Sequence, residues 1–363
     1  MNPIKFKKIR IDNIEILFKE GANYIIGNSD TGKTTIFNCM RYVLGLTKEL
    51  KHKNINQVEI SISVKNQAMT FSRENDSPAL TISTNDKVER YRALSTELNN
   101  FFNEILEPNF LYESALESSL KILDFCFLPE AFQINRKANW DAVRLICGFN
   151  ISMLASVEKD ITTLGSEVLK NRQIENAVNA FTKKLIEDSK NQNTSDLELI
   201  IGNTKQNFFE EHRSKEDLLF NVTMKLEEFK TKSNSQLTKK LSEFERSYLN
   251  LMSLAGINDQ DFSTIEQLII ERKSSHGMER ISKLILSLAI AHVSGDNQKN
   301  YNHPMFLIND HTSSGVFPSF NHTLRPTIVE AISRTPELQY IEFTYNENIS
   351  LSDVVIDLNK EGF

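Results

Sequence analysis

The run GNSDTGKT at residues 27–34 constrains the fold of this chain more than any other stretch. It fits G-x-x-x-x-G-K-[ST], with Gly27, Gly32, Lys33 and Thr34 at the fixed positions, Asn28, Ser29, Asp30 and Thr31 between them, and Thr35 following. Glycines at such places let the backbone turn its amides inward around phosphate. The lysine reaches the β and γ phosphates, and the threonine hydroxyl can ligate Mg2+. A loop of this kind needs a strand before it and a helix behind it. Tyr24, Ile25 and Ile26 supply a short apolar strand, and TTIFNCMRYVLG reads as a helix closed by Gly45. Residues Gly27 to Thr35 are therefore the candidate site for a nucleoside triphosphate with Mg2+. The bland alternative is a glycine-bearing turn with a surface lysine.

The flanks put a β layer in front of the loop. IKFKKIRIDNIEILF alternates through Ile4, Phe6, Ile9 and Ile11, then Ile14, Ile16 and Phe18, which predicts two strands joined by a turn at Asp12 and Asn13. QVEISISVK and AMTFSRE alternate in the same way and predict a second antiparallel pair. With 363 residues, 40% of them apolar, and 23 Phe, the chain can bury the core of one large domain or two ordinary ones. A net charge of −6 supplies no global basic field for nucleic acid, but leaves room for a local basic stripe.

Cys39, Cys126 and Cys147 have no paired C-x-x-C spacing, which argues against a disulfide framework or a zinc ribbon and fits a reducing compartment, the cytoplasm by default. The opening MNPIKFKKIR has no apolar run behind its basic residues. LILSLAIAHV, residues 284–293, falls well short of the roughly 20 residues a membrane span needs, so neither a signal peptide nor a membrane partner is expected.

From Met153 the apolar period changes. Leu154, Val157, Ile161, Leu164 and Val168 recur at intervals of three and four, and Ile174, Val178, Phe181 and Leu185 resume the stripe after a slip. The polar run EDSKNQNTSD at 187–196 separates these from a second stripe through Val222, Leu226, Phe229, Leu237, Leu241, Phe244, Tyr248 and Leu251. A helical hairpin over residues 154–252 follows, its first arm reaching roughly 50 Å at 1.5 Å per residue. The longer second arm is predicted to break near Gly202 or near KSNSQ at 232–236. An ordinary helical subdomain folded back on the rest is the alternative.

Beyond the stripes the chain turns apolar again in HPMFLINDHTSSG, residues 303–315. A buried strand from Met305 to Ile308, ending near Asp310, has the form of a Walker B element: an acid at a strand's carboxyl end that holds Mg2+ beside the phosphate loop. The two halves of the site are thus placed near opposite ends of the sequence, with the helical hairpin between them.

In that split organisation, most of the chain resembles the SMC and RecF-type branch of the ABC ATPases. The resemblance implies an α/β fold: an ABC-type P-loop ATPase head with a mixed β-sheet and an inserted helical hairpin or coiled-coil arm. Residues 1–152 would form the N-terminal half of the head, 153–254 the arm and 255–363 the C-terminal half. FCFLPEAFQINRKANW is similar to the family's Q-loop region, which implies that Gln133 contacts Mg2+ and the attacking water. KSSHGMERISKLILSLAIA is similar to the signature motif and its helix, which implies that Ser275 and Gly277 face the nucleotide of a second subunit; a plain helix N-cap is the alternative. Two heads would then sandwich two ATP molecules in a homodimer or higher oligomer, with ATP and Mg2+ as cofactors.

Two positions depart from the family pattern. His311 follows Asp310 where the family has a glutamate, and Tyr345 stands after the next strand where it has a histidine. Both changes fall on hydrolysis rather than binding. A different acid, Glu279 or Asp296, could instead do the missing job. The resemblance implies a slow ATPase acting on DNA or a partner protein in repair, chromosome handling or anti-phage defence. The competing expectation is a non-hydrolysing ATP sensor that assembles with a toxin, nuclease or protease subunit. A metabolic kinase would need an acceptor pocket and a lid, neither of which the split site suggests.

Overall fold

The computed structural model describes residues 1–28, 30–50, 52, 54–109, 118–129, 136–149, 151–188, 195–257, 265, 269, 276–310, 318–345 and 354–361. Strands β1 (Ile4–Ile11), β2 (Ile14–Leu17) and β3 (Ala22–Ile26) lead to helix α1 (Lys33–Val43). Next come β4 (Gln57–Val64), β5 (Gln67–Glu74), β6 (Ala79–Ser83) and β7 (Val88–Arg92), then α2 (Thr96–Leu106), α3 (Ser118–Phe125), β8 (Phe127–Leu128) and α4 (Arg136–Ile146). Two long helices, α5 (Ile151–Asp188) and α6 (Ser195–Leu254), occupy the middle. The remainder runs α7 (His276–Asp296), β9 (Phe306–Asp310), α8 (Pro318–Ser333), β10 (Gln339–Thr344), β11 (Val354–Asp357) and α9 (Leu358–Glu361). Two compact units result: Met1–Asn150 together with Leu237–Phe363, and Ile151–Gln236.

In the first unit the described strands divide by direction between two sheets. One is antiparallel, in the order β2-β1-β4-β5-β6-β7; the other is parallel, in the order β11-β3-β10-β9-β8. Burial follows the division: β4 in the antiparallel sheet alternates buried and accessible residues, whereas β9 and β10 are buried throughout, in β10 with Gln339, Glu342 and Thr344 included. Within β1 the buried set changes phase, from Ile4 and Phe6 to Ile9 and Ile11, and a register shift against β4 between Phe6 and Lys8 absorbs the extra residue. The β4–β5 hairpin turns on Lys65 and Asn66, both left-handed at φ 50° and 65°, the backbone of a two-residue hairpin loop.

The buried Gln339 carboxamide ties this sheet to the parallel one. It accepts from Phe6 N at 2.7 Å and donates to Phe6 O at 2.9 Å and Lys19 O at 2.8 Å. These bonds satisfy the Phe6 backbone next to the irregularity in β1.

Aromatic rings join α1 to the parallel sheet. Phe37 meets Phe127 of β8 edge-on at 5.6 Å and Phe343 of β10 at 6.1 Å, while Phe306 of β9 meets Phe127 at 5.8 Å. Phe37 is fully buried. Phe37→Ala should therefore cost about 3–5 kcal/mol, read as a lower denaturation midpoint at unchanged slope. A shift of under about 1 kcal/mol would mean that α1 is not packed on this sheet as described.

In the second unit, α5 pairs antiparallel with the first part of α6. Glu158 meets Lys230 at 2.9 Å and Arg172 meets Glu216 at 2.7 Å, so partners descend along α6 as residues ascend along α5. The break predicted at Gly202 or KSNSQ is absent: α6 is one uninterrupted helix of 60 residues. An exposed glycine costs a helix only about 1 kcal/mol. Ser233 sits seven residues after the buried Leu226 and is itself buried, so the KSNSQ segment continues the stripe instead of ending it.

Leu237, Phe244, Tyr248, Leu251 and Met252, further along α6, belong to the core of the first unit. Replacing residues 151–236 by a short linker should leave that unit soluble and folded, judged by circular dichroism and solubility. Removing 154–252 takes those core side chains away and should give insoluble protein. An insoluble product from the shorter excision would show that the first unit does not stand alone.

Candidate nucleotide site

The phosphate loop leaves the carboxyl end of β3, which lies between β11 and β10 in the parallel sheet. Gly32 begins α1 with φ +85°, a left-handed angle that glycine adopts without strain. Gly27 answers a different need: a Cβ there would fall 2.2 Å from Thr31 Oγ1 and 3.1 Å from Leu358 Cβ. Thr31 Oγ1 donates to Asn28 O at 2.8 Å, folding the loop back on itself. Lys33 is buried, and its ammonium donates to Gly27 O and Asn28 O, both at 2.5 Å, with the Tyr345 ring centroid 4.5 Å away. Gly32 gives α1 no side-chain cap, and the helix's first turn holds no acidic residue, so its positive end meets the loop undiminished.

Opposite the loop stands Asp310, the last residue of β9 and buried to 1% exposure. Strand β10 separates β9 from β3, and the registers set Asp310 level with Phe343 and Phe343 level with Ile25. All three lie toward the carboxyl ends of parallel strands, where open α/β sheets bind ligands. Thr34 Oγ1 is 3.4 Å from Asp310 Oδ1. That is long for a hydroxyl–carboxylate bond, and near the roughly 3 Å that separates neighbouring oxygens around an octahedral Mg2+ with bonds of about 2.1 Å. Among the described residues no cluster of three His, Cys, Asp or Glu could hold a metal by itself. An ion here would complete its shell with phosphate oxygens and water. The residues present fit a Mg2+-bound triphosphate.

Strand β9 starts at Phe306, one residue later than the sequence predicts, because Met305 takes a left-handed angle of φ 57°. Tyr345, the position read as the family's histidine, directly follows β10, and its ring lies beside the Lys33 ammonium. Asp30 is exposed in a left-handed conformation, φ 62°. Gly277 is the second residue of α7. Ser29, Gln133, Ser275 and His311 lie outside the described residues. Of the two substitute acids, Asp296 closes α7, exposed and 3.9 Å from His292, and Glu279 lies in its first turns.

The sequence reading missed several groups around the loop. His52 Nε2 is 3.2 Å from Thr35 Oγ1, Gly27 N donates to Thr344 O at 3.2 Å, and Asn28 N donates to Asn359 Oδ1 at 2.9 Å. On the other face of the sheet lies a buried polar chain. Asn309 Nδ2 donates to the Tyr340 hydroxyl and that hydroxyl to Glu342 Oε2, each at 3.0 Å; Arg325 approaches Glu342 Oε1 at 3.7 Å and Thr344 Oγ1 at 3.5 Å. Burial, reinforced by the Glu342 charge, pushes the Tyr340 phenol well above its ordinary pKa, which keeps it a proton donor. The chain links β9, β10 and α8 directly behind the Asp310 edge.

The parallel sheet is built from strands that precede and follow the paired helices, an arrangement that this chain shares with the solved SMC head domains. The Smc head domain of Pyrococcus furiosus, with an extended coiled coil and bound to the C-terminal domain of ScpA, is 13% identical with a TM-score of 0.55, covering 95% of this chain and 90% of its own. The Smc head domain of Pyrococcus yayanosii, with a coiled coil and joint, is 12% identical with a TM-score of 0.53, covering 95% and 92%. RecF with ATP aligns over 96% and 94% at 13% identity, but with a TM-score of 0.39. At these identities the two Smc heads share the fold with this chain. No family model matches the sequence, and no curated protein matches it.

Proposed function

We propose that the chain is an ATP-binding, slowly hydrolysing ABC-type ATPase that dimerises on ATP and gates a DNA-associated process: repair, chromosome handling or anti-phage defence. The observation that carries the reading is the 3.4 Å approach of Thr34 to Asp310 at the carboxyl edge of one parallel sheet. Motif chemistry singles out both residues, which lie far apart in the sequence. Lys33, the loop amides and the start of α1 hold the phosphates, and Thr34 with Asp310 holds Mg2+, with Gln133 the further candidate. When bound, Mg2+ and ATP supply the electrophilic phosphoryl group and neutralise its developing charge. Ser275 and Gly277 serve the facing subunit's nucleotide. The Smc head bound to part of ScpA is a precedent for a separate partner subunit. Among the described residues no helix is long and apolar enough to cross a membrane, and we place the protein in the cytoplasm.

His311 sets the expected rate. A neutral imidazole next to Asp310 can accept the proton of an attacking water, but with a reach unlike a carboxylate's. His311→Glu should raise steady-state phosphate release, and His311→Ala should lower it. Unchanged rates in both variants would remove His311 from the catalytic position. The same departure, together with Tyr345, favours the second reading, an ATP sensor without turnover that controls a nuclease, toxin or protease subunit. Tight MgATP binding with no phosphate release, with or without DNA, would select that reading.

A further inference from the structure

We propose that Asn359 is a positioning residue for the phosphate loop, acting from the carboxyl-terminal β11–α9 segment; the inference rests on the nucleotide reading of that loop. Strand β11 runs parallel to β3, and after a shift between Val354 and Ile356 it sets Asp357 level with Ile26, the residue before Gly27. Leu358 is buried against Gly27. Asn359 N and Nδ2 both donate to Asp357 Oδ1 at 3.1 Å, which turns the carboxamide oxygen toward the Asn28 amide 2.9 Å away.

The consequence passes to Lys33 through the peptide units it touches. Its ammonium rests on the carbonyls of Gly27 and Asn28. Gly27 is fixed by its bond to Thr344 O and by Leu358 packing, and Asn28 by Asn359. Movement of the Asn28 peptide moves one of the two oxygens on which the lysine rests. The same bond satisfies the Asn28 amide within the protein, so that amide shapes the loop and the later ones are left to meet phosphate.

The test uses the full chain and two variants, Asn359→Ala and Asn359→Gln, with Lys33→Ala as reference. Amide exchange of residues 27–31 without nucleotide, MgATP affinity, and KM against kcat are measured. Loss of one such bond should speed loop exchange and weaken MgATP binding, each by roughly five- to tenfold, with a smaller change in kcat at saturation. Restoring a carboxamide in Asn359→Gln should recover most of both losses. Exchange and affinity unchanged in Asn359→Ala would overturn the proposal. So would faster exchange spread through β3 and α1, which marks general destabilisation. If the wild-type chain binds no MgATP, the nucleotide reading falls, and loop exchange alone still decides whether Asn359 positions the loop.

Discussion

Lys33→Ala is expected to weaken MgATP binding on the order of 100-fold and to abolish measurable turnover, because it would remove a charge-assisted contact to the phosphates. Lys33 is buried between the Gly27 and Asn28 carbonyls and the Tyr345 ring, so its ammonium is held in place before any ligand arrives. Truncation also empties that pocket, and Lys33→Met, which keeps the apolar stem, separates the two effects. Both variants should lose nucleotide affinity, while only alanine should lower the melting temperature noticeably. A Lys33→Met protein that binds and hydrolyses ATP like wild type would refute the nucleotide site itself.

Asp310→Asn should divide binding from chemistry. The amide matches the carboxylate in shape but carries no charge, so Thr34 would face a poorer partner for Mg2+. Loss of a Mg2+ ligand at this position would remove several kcal/mol of charge stabilisation, which corresponds to a fall in turnover of about 100-fold or more. Nucleotide affinity measured with EDTA should hold, because the loop and Lys33 are untouched and one negative charge has left the neighbourhood of the phosphates. Titrating Mg2+ into both proteins gives the readout: wild type should gain affinity steeply and Asp310→Asn should gain little. Equal Mg2+ dependence in the two would place the ion elsewhere and dissolve the pairing of Asp310 with Thr34.

The setting of those two residues was legible in the sequence: a glycine-framed lysine between strand and helix, and an acid closing an apolar strand. The division of strands was legible in part: alternation marks most of the antiparallel strands and the apolar Phe306–Ile308 marks β9, whereas the buried Gln339, Glu342 and Thr344 hide β10 from a hydropathy pattern. Asn359 and His52 left no signal. Nothing local brings an asparagine in a four-residue helix to Asn28; the parallel pairing of β11 with β3 does so, and such pairing is a property of the folded sheet. The helix α6 shows the reverse error, in which a local rule about Gly202 and the serines of KSNSQ was outweighed by the buried stripe that Ser233 shares with Leu226.

The neighbours of β3 set a clock on biosynthesis. Both strands that flank it, β10 and β11, come from residues 339–357, so the strand carrying the phosphate loop is made long before its partners. At typical translation speeds it waits on the order of 15 to 60 s for its partners. During that interval both edges of an apolar strand are open to other chains, and closing the gap afterwards carries the entropic cost of a very long loop. A nascent chain therefore cannot complete the sheet around the phosphate loop until residues 339–357 have been made.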